Sequence, residues 1–393
     1  MFERTRCRRV VNLLETKMNP DSSLPEAARN RPPTLEDMGK ILGLSKRAVS
    51  QALHDRAGTV KVSAATKERV CQLAKTLGYR RNMAATALTT KRTGMFGILT
   101  SVGHMHVSAI QLATAVAEFR RLGHSPLVIH DDAKLTEQHD FSLSALINAS
   151  VDGVLLIRRP THFTDQHVEE LRQYGMSVVQ VGSTTPAVNL SHYLTDRSQA
   201  FQLIVDHLVT QGYHRLRAVV GRDRPNPQTG WVTPTGRQTR TAILEAVNRA
   251  RNAGADLQLE FHEIPDTFDE DREVHELYAP GYEAMRHIIK EKKIPEALIF
   301  QVDGWAWGAM RACAEAGIRI PDDMAITGYS NEPACSATYV PLTSVAEPFE
   351  QMIHAAVTEL VAAVKDRRPT RHQRIVMPHR LFVRQSSLNP KLK

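Results

Sequence analysis

Four residues in one short stretch carry the chain's clearest chemical signal: Lys46, Arg47, Ser50 and Gln51. In the run LSKRAVSQALHD the apolar positions Ala48, Val49, Ala52 and Leu53 recur at helical spacing, which leaves those four on the opposite face. Two cations, a hydroxyl and an amide suit a duplex groove. The cations answer phosphate charge, and the forked donors and acceptors can pair with base edges.

A helix from Lys46 to about Leu53 must be held by something, and the preceding residues supply it. Leu35, Met38, Ile41 and Leu42 line one face of a helix of about eight residues, while Glu36, Asp37 and Lys40 are expected to point to water. Thr34 stands at the N-cap position with Asp37 three residues on, the arrangement of a capping box. Gly43 can take the left-handed conformation that ends the helix, Leu44 plugs the turn and Ser45 caps the next helix. The spacing is that of a helix-turn-helix. On these residues alone it competes with an ordinary glycine-turned helical hairpin, which is common core architecture. A third helix, Ala64 to Leu77, starts after Ser63, turns Val70, Leu73, Ala74 and Leu77 inward and ends at Gly78.

The charge distribution favours the polyanion reading. The 393 residues carry a net charge of +8, but residues 1–93 hold 19 Lys+Arg against 8 Asp+Glu, and the remainder 31 against 34. A cationic front on a nearly neutral body is the footprint of a nucleic-acid binder. The four cysteines, Cys7, Cys71, Cys313 and Cys335, are scattered without a C-x-x-C pair, so reduced thiols are expected. No apolar run is long enough to cross a bilayer and the N-terminus lacks a secretory pattern, so a cytoplasmic protein with no membrane partner is expected.

From Met95 onward the periodicity changes. Short apolar runs (MFGIL, SPLVIH, VDGVLLI, SVVQVG, then LRAVV, LQLEFHEI, EALIFQV, MAITGY) are separated by amphipathic helical stretches, the signature of parallel sheets covered on both faces. Two such sets predict two α/β lobes with a cleft at the carboxyl ends of their strands. A last helix from about Glu347 to Lys365 and the run RIVMPHRLFVR cross back to finish the sheets.

TLEDMGKILGLSKRAVSQALHD and VSAATKERVCQLAKTLGYRRNMAATALTTKRTGMFGIL, followed by VDGVLLI, HLVTQGYHRL, AEAGIRIPDDMAITGYSNEP, PLTSV and MPHRLFVRQSS, resemble the LacI/GalR family of transcriptional regulators. The likeness runs from Thr34 to Ser387. It implies a multidomain chain, an all-α helix-turn-helix head on a two-lobed α/β body like a periplasmic binding protein. The expected divisions are a flexible extension at 1–33, the head at 34–80, a hinge helix and linker at 81–93, and an effector-binding and dimerisation body at 94–393.

The resemblance also implies roles. Lys46, Arg47 and Gln51 match base-reading positions, Ser45 and Ser50 phosphate-holding ones, and Arg81 and Lys91 add charge near the hinge. Asn82 is placed to cap the hinge helix, and Leu88 stands where a leucine wedges into the minor groove. The partners implied are double-stranded operator DNA, a second copy of the chain reading a near-palindromic site, and a small-molecule effector of the sugar class.

Cleft residues are chosen from strand ends. Asp303 follows ALIFQV and matches an aspartate that bonds effectors in the family; as a residue it could equally cap the next helix. Trp305 could stack on a ring or lie partly in the core. Thr239 stands where the family carries its effector-clamping arginine, with Arg237 and Arg240 nearby, so Arg240, Arg158 after VDGVLLI, and His104 complete the expected set. His104 and His106 alone make a poor metal pair, and no cofactor is expected. No G-x-G-x-x-G, phosphate loop or nucleophile elbow is present; Gly328-Tyr329-Ser330-Asn331-Glu332 lacks the closing glycine. The reading is a regulator, not an enzyme, and most simply a repressor; the alternative is a cytoplasmic small-molecule sensor without operator recognition.

Overall fold

The structure, a computed structural model, describes residues 31–54, 62–80, 92–100, 106–130, 139–158, 163–182, 190–223, 235–265, 278–368 and 370–392. The chain divides into two compact units, Met1–Lys91 and Arg92–Lys393.

In the first unit three helices, α1 (Leu35–Leu42), α2 (Lys46–His54) and α3 (Ala64–Thr76), close on a small core of Met38, Val49, Ala52, Val70 and Leu73. Gly43 adopts φ +66°, as the turn between α1 and α2 requires, and Leu44 N–H bonds back to the Gly39 carbonyl at 2.9 Å. Ser63 accepts from Thr66 N–H at 3.2 Å and starts α3. The capping box is present at α1, where Thr34 N–H donates to Asp37 Oδ2 at 2.9 Å and Asp37 N–H returns to Thr34 Oγ1. Asp37, expected in water, is instead buried. Its two oxygens are occupied by Thr34 and by a two-pronged bond from Arg31 at 2.8 and 3.0 Å, so the carboxylate is sheltered without being orphaned.

The second unit holds two six-stranded sheets. Lobe 1 contains β1 (Phe96–Thr100), α4 (His106–Arg121), β2 (Pro126–His130), α5 (His139–Asn148), β3 (Gly153–Ile157), α6 (Asp165–Gln173), β4 (Ser177–Val181) and β5 (Ser191–Thr195). Lobe 2 contains α7 (Arg197–Thr210), β6 (Arg215–Arg222), α8 (Thr235–Asn252), β7 (Gln258–Pro265), α9 (Ala279–Lys290), β8 (Ala297–Phe300), α10 (Asp303–Glu315), β9 (Ala325–Tyr329) and β10 (Thr343–Ala346). The chain then returns to lobe 1 with α11 (Phe349–Asp366) and β11 (Arg374–Met377), and ends in lobe 2 with β12 (Arg380–Phe382).

Strand order is β11-β5-β4-β3-β1-β2 in lobe 1, parallel throughout, and β12-β10-β9-β8-β6-β7 in lobe 2, where only β12 runs antiparallel. The apolar runs read from the sequence are these central strands, fully buried because helices cover both faces. Each sheet has a core on either side. In lobe 1, α4 and α11 cover one face and α5 and α6 the other; in lobe 2, α7 and α8 oppose α9 and α10.

The last helix runs from Phe349 to Asp366, close to the expected span, with Pro348 at its N-cap. Glu347 is thereby left in the strap between lobes. The three straps, at Asp196, Glu347–Pro348 and Pro378–His379, lie between β5 and α7, β10 and α11, and β11 and β12. Among the described residues no helix is long and apolar enough to cross a membrane.

Candidate functional site

In the first unit Ser45, Lys46 and Arg47 are exposed and Ser50 and Gln51 half-buried, while Ala48, Val49 and Ala52 are buried beneath them. Ser45 Oγ accepts from Ala48 N–H at 3.2 Å, fixing the start of α2. No acidic residue lies in the first turn of α2, so its positive dipole end adds to Lys46 and Arg47. The surface is a cationic, donor-rich ridge about two turns long on a rigid three-helix base. Arg81, Asn82, Leu88 and Lys91 lie outside the described residues, as does His104 of the cleft set.

In the second unit the carboxyl ends of both sheets meet the straps. Arg158, just past β3, takes a left-handed φ of 48°. Its Nε donates to Gln111 Oε1 at 3.2 Å, its Nη2 lies 3.6 Å from Glu347 Oε2, and its guanidinium stands 5.6 Å from the Phe349 ring centre. Thr195 donates to the other Glu347 oxygen at 2.9 Å. Tyr329, ending β9, shares a 3.0 Å hydrogen bond with His379 Nε2, and His379 N–H donates to Gln199 Oε1 at 2.9 Å. The second strap is thus tied to the ends of β3 and β5, and the third to the end of β9 and to α7.

The other expected cleft residues are placed differently. Asp303 is fully buried, and each oxygen is used: Ser344 Oγ donates to Oδ1 at 2.6 Å and Glu332 N–H to Oδ2 at 2.8 Å. Burial pushes its pKa above the usual carboxylate range, against the pull of those donors. It ties α10 to the turn after β9 and to β10 and is not open to a ligand. Trp305 is 3% exposed and packs in the lobe 2 core with Met285, Phe300 and Met310, so it is no stacking platform. Arg240 is half-exposed, lies 4.5 Å from the Phe261 ring centre and is ion-paired to Glu263, which ties α8 to edge strand β7. Strand-end position indicated the correct edge for these residues but not their depth.

Arg197 is the residue that sequence reasoning missed. It opens α7, its Nη1 donates to Thr239 Oγ1 at 3.1 Å, and its guanidinium lies 4.7 Å from the Tyr329 ring centre. Thr239 is fully buried. The place expected of an α8 arginine is therefore reached by a guanidinium arriving from the first strap. The available signal was an arginine directly after a strand-ending Asp in LTDRSQ, which reads equally well as a loop.

Among the described residues no group of three metal-binding side chains is found. A model of the periplasmic binding protein-like domain matches residues 205–387. Over 90% of this chain and 99% of the relative, the sequence is 22% identical to catabolite control protein A of Priestia megaterium. It is 26% identical to the transcriptional regulator CelR of Thermobifida fusca (91% and 99%) and 24% identical to the lactose operon repressor of Escherichia coli K12 (92% and 92%). In fold it is similar to a lac repressor dimer bound to operator and an anti-inducer, with TM-score 0.69 at 21% identity over 91% of this chain and 100% of that one. A CelR–cellobiose complex matches with TM-score 0.59 at 22% identity over 90% and 99%. Residues 205–387 thus carry a periplasmic binding protein-like domain, and over about nine-tenths of its length the chain is similar to transcriptional regulators that include the lactose operon repressor.

Proposed function

We propose that this protein is a sequence-specific transcriptional repressor of the cytoplasm. It works as a homodimer and holds a small molecule between its lobes that sets its grip on operator DNA. The observation that carries the reading is the ridge of Lys46, Arg47 and Gln51 on the solvent side of α2, opposite buried Ala48, Val49 and Ala52. A side-chain set of that kind has no core to serve and matches what a major groove offers. Relatives named as repressors and regulators, matched along nearly their full lengths, support it, and the bound cellobiose and anti-inducer of two structural neighbours support a sugar-class ligand. Catalysis has no place in the reading.

In this scheme Lys46, Arg47 and Gln51 read bases, and Ser45 and Ser50 hold phosphates. Residues 1–33 form an extension. Residues 81–93 form the hinge, with Arg81, Asn82, Leu88 and Lys91 contributing there, and residues 94–393 bind effector and dimerise. Arg158 is the cleft contact retained from the sequence, with His104 as a further effector contact; Asp303 acts as a positioning residue, and Arg240 stands at the rim. A ligand that binds closed lobes better than open ones shifts the pair of heads by no more than that difference in affinity.

The test is selection of genomic fragments by the purified full chain at moderate salt. Enrichment of a near-palindromic sequence is expected; retention of all fragments in proportion to bulk duplex overturns the reading.

A further inference from the structure

We propose that the ligand of the cleft carries an anionic oxygen group, a carboxylate or a phosphate, and that Arg197 receives it. The proposal rests on the cleft being the effector site and names the chemistry recognised there.

Several cations around the strand ends face a carboxylate, and Arg197 does not. Arg158 has Glu347, Arg222 and Arg240 share Glu263, and Arg237 has Asp223. Arg197 has two neutral partners, the Thr239 hydroxyl and the face of Tyr329. Among the described residues no carboxylate lies within 4.0 Å of its guanidinium. These contacts leave most of its five donors unused while fixing its direction, so the group is preorganised without being neutralised.

Its position also runs against local helix electrostatics. A cation in the first helical turn opposes the macrodipole; the carboxylate at the α7 N-terminus, Asp196, is the N-cap and accepts from Ser198 N–H at 2.9 Å rather than pairing with Arg197.

Three of the buried side-chain atoms left without a partner among the described residues are N–H donors. Gln301, just past β8, accepts from Gly221 N–H with Oε1 at 3.0 Å, so its Nε2 is the unpartnered end. Across in lobe 1, Gln111 Oε1 is taken by Arg158, which again leaves Nε2. Trp307 Nε1, on the first turns of α10, is a third buried donor without a partner among the described residues. The glutamine amide orientations are settled by the donors they meet, so these free ends are N–H groups, one on each lobe. An anion accepts only, and satisfies such a set at no cost in unmatched donors.

The experiment measures thermal unfolding of the full chain in roughly 50 mM inorganic phosphate or acetate against chloride at equal ionic strength. Wild type should gain about 2 °C or more in phosphate, in acetate or in both; the arm that responds identifies the anion class. Arg197→Gln should lose the gain and Arg197→Lys keep part of it. Absence of an anion-specific gain in wild type, or an equal gain in Arg197→Gln, overturns the proposal. Operator selection with the same preparations separates the two failures: operator binding with flat anion arms sinks the anion alone, whereas lack of any selected operator sinks the regulatory reading.

Discussion

Thr195 donates a hydrogen bond from its hydroxyl to Glu347 Oε1 at 2.9 Å, joining the first strap between the lobes to the second. The other Glu347 oxygen is held by Arg158, so one 10%-exposed carboxylate carries both bonds. Glu347→Ala should cost the body about 1–2 kcal/mol, most of it from the Thr195 bond because the Arg158 pair is more exposed. Urea unfolding of the full chain measures it; an unchanged midpoint would mean that the straps are held by packing alone.

Asp303→Ala removes the acceptor for Ser344 and Glu332 in a fully buried place. The Glu332 N–H is left unsatisfied, and a loss of about 2–4 kcal/mol is expected. Head-mediated DNA binding below the new unfolding midpoint should survive. A variant of wild-type stability would show that the site relaxes to water.

Asp37 gives the head a dependence on acid. The hydrogen bonds from Arg31, opposed by desolvation and helped by Thr34, hold its carboxyl well below the usual 3.8. A depressed folded value means that the stabilisation is complete above the unfolded value and is lost as pH falls through the folded one. Hydrogen exchange of α1 to α3 in the full chain should therefore accelerate below about pH 4. Asp37→Asn should flatten that response; an identical acid profile in the variant would place the dependence elsewhere.

His379 works in the opposite sense on the body. Burial, with Arg197 adding to it, lowers its pKa from 6.5, while Glu347 and Asp196 pull the other way. A buried neutral histidine binds its proton less readily folded than unfolded, so stability declines as pH drops below about 6.5. His207, likewise lowered by burial, adds to the slope. His379→Gln should reduce the fall in melting temperature between about pH 7 and 5, and an unaltered slope would leave His207 as its source.

Arg47→Ala and Gln51→Ala should each cost roughly 1–3 kcal/mol against a selected operator and relax its sequence preference. Binding to random duplex should change little for Gln51 and modestly for Arg47. Equal losses on both kinds of DNA would mean that these side chains touch phosphate only.

Much of this was legible in the chain itself. The face of α2, the glycine turn and the buried strands follow from periods of 3.6 and 2 and from caps, which are local properties. Asp37 was misplaced because periodicity assigns a face but cannot see Arg31 folding back over it. Asp303 and Trp305 follow a strand, which fixes their edge of the sheet, yet depth depends on what β10 and α9 bring to them. Arg197 was missed because its meaning lies in Thr239 and Tyr329, distant in sequence and joined to it only by the fold.

Because the backbone passes between the lobes at Asp196, at Glu347–Pro348 and at Pro378–His379, neither lobe is a continuous stretch of sequence. During synthesis lobe 1 must wait for α11 and β11, which arrive after nearly all of lobe 2, and lobe 2 waits in turn for β12. Removal of the final few dozen residues would therefore open both sheets at once, at the edge strand of each.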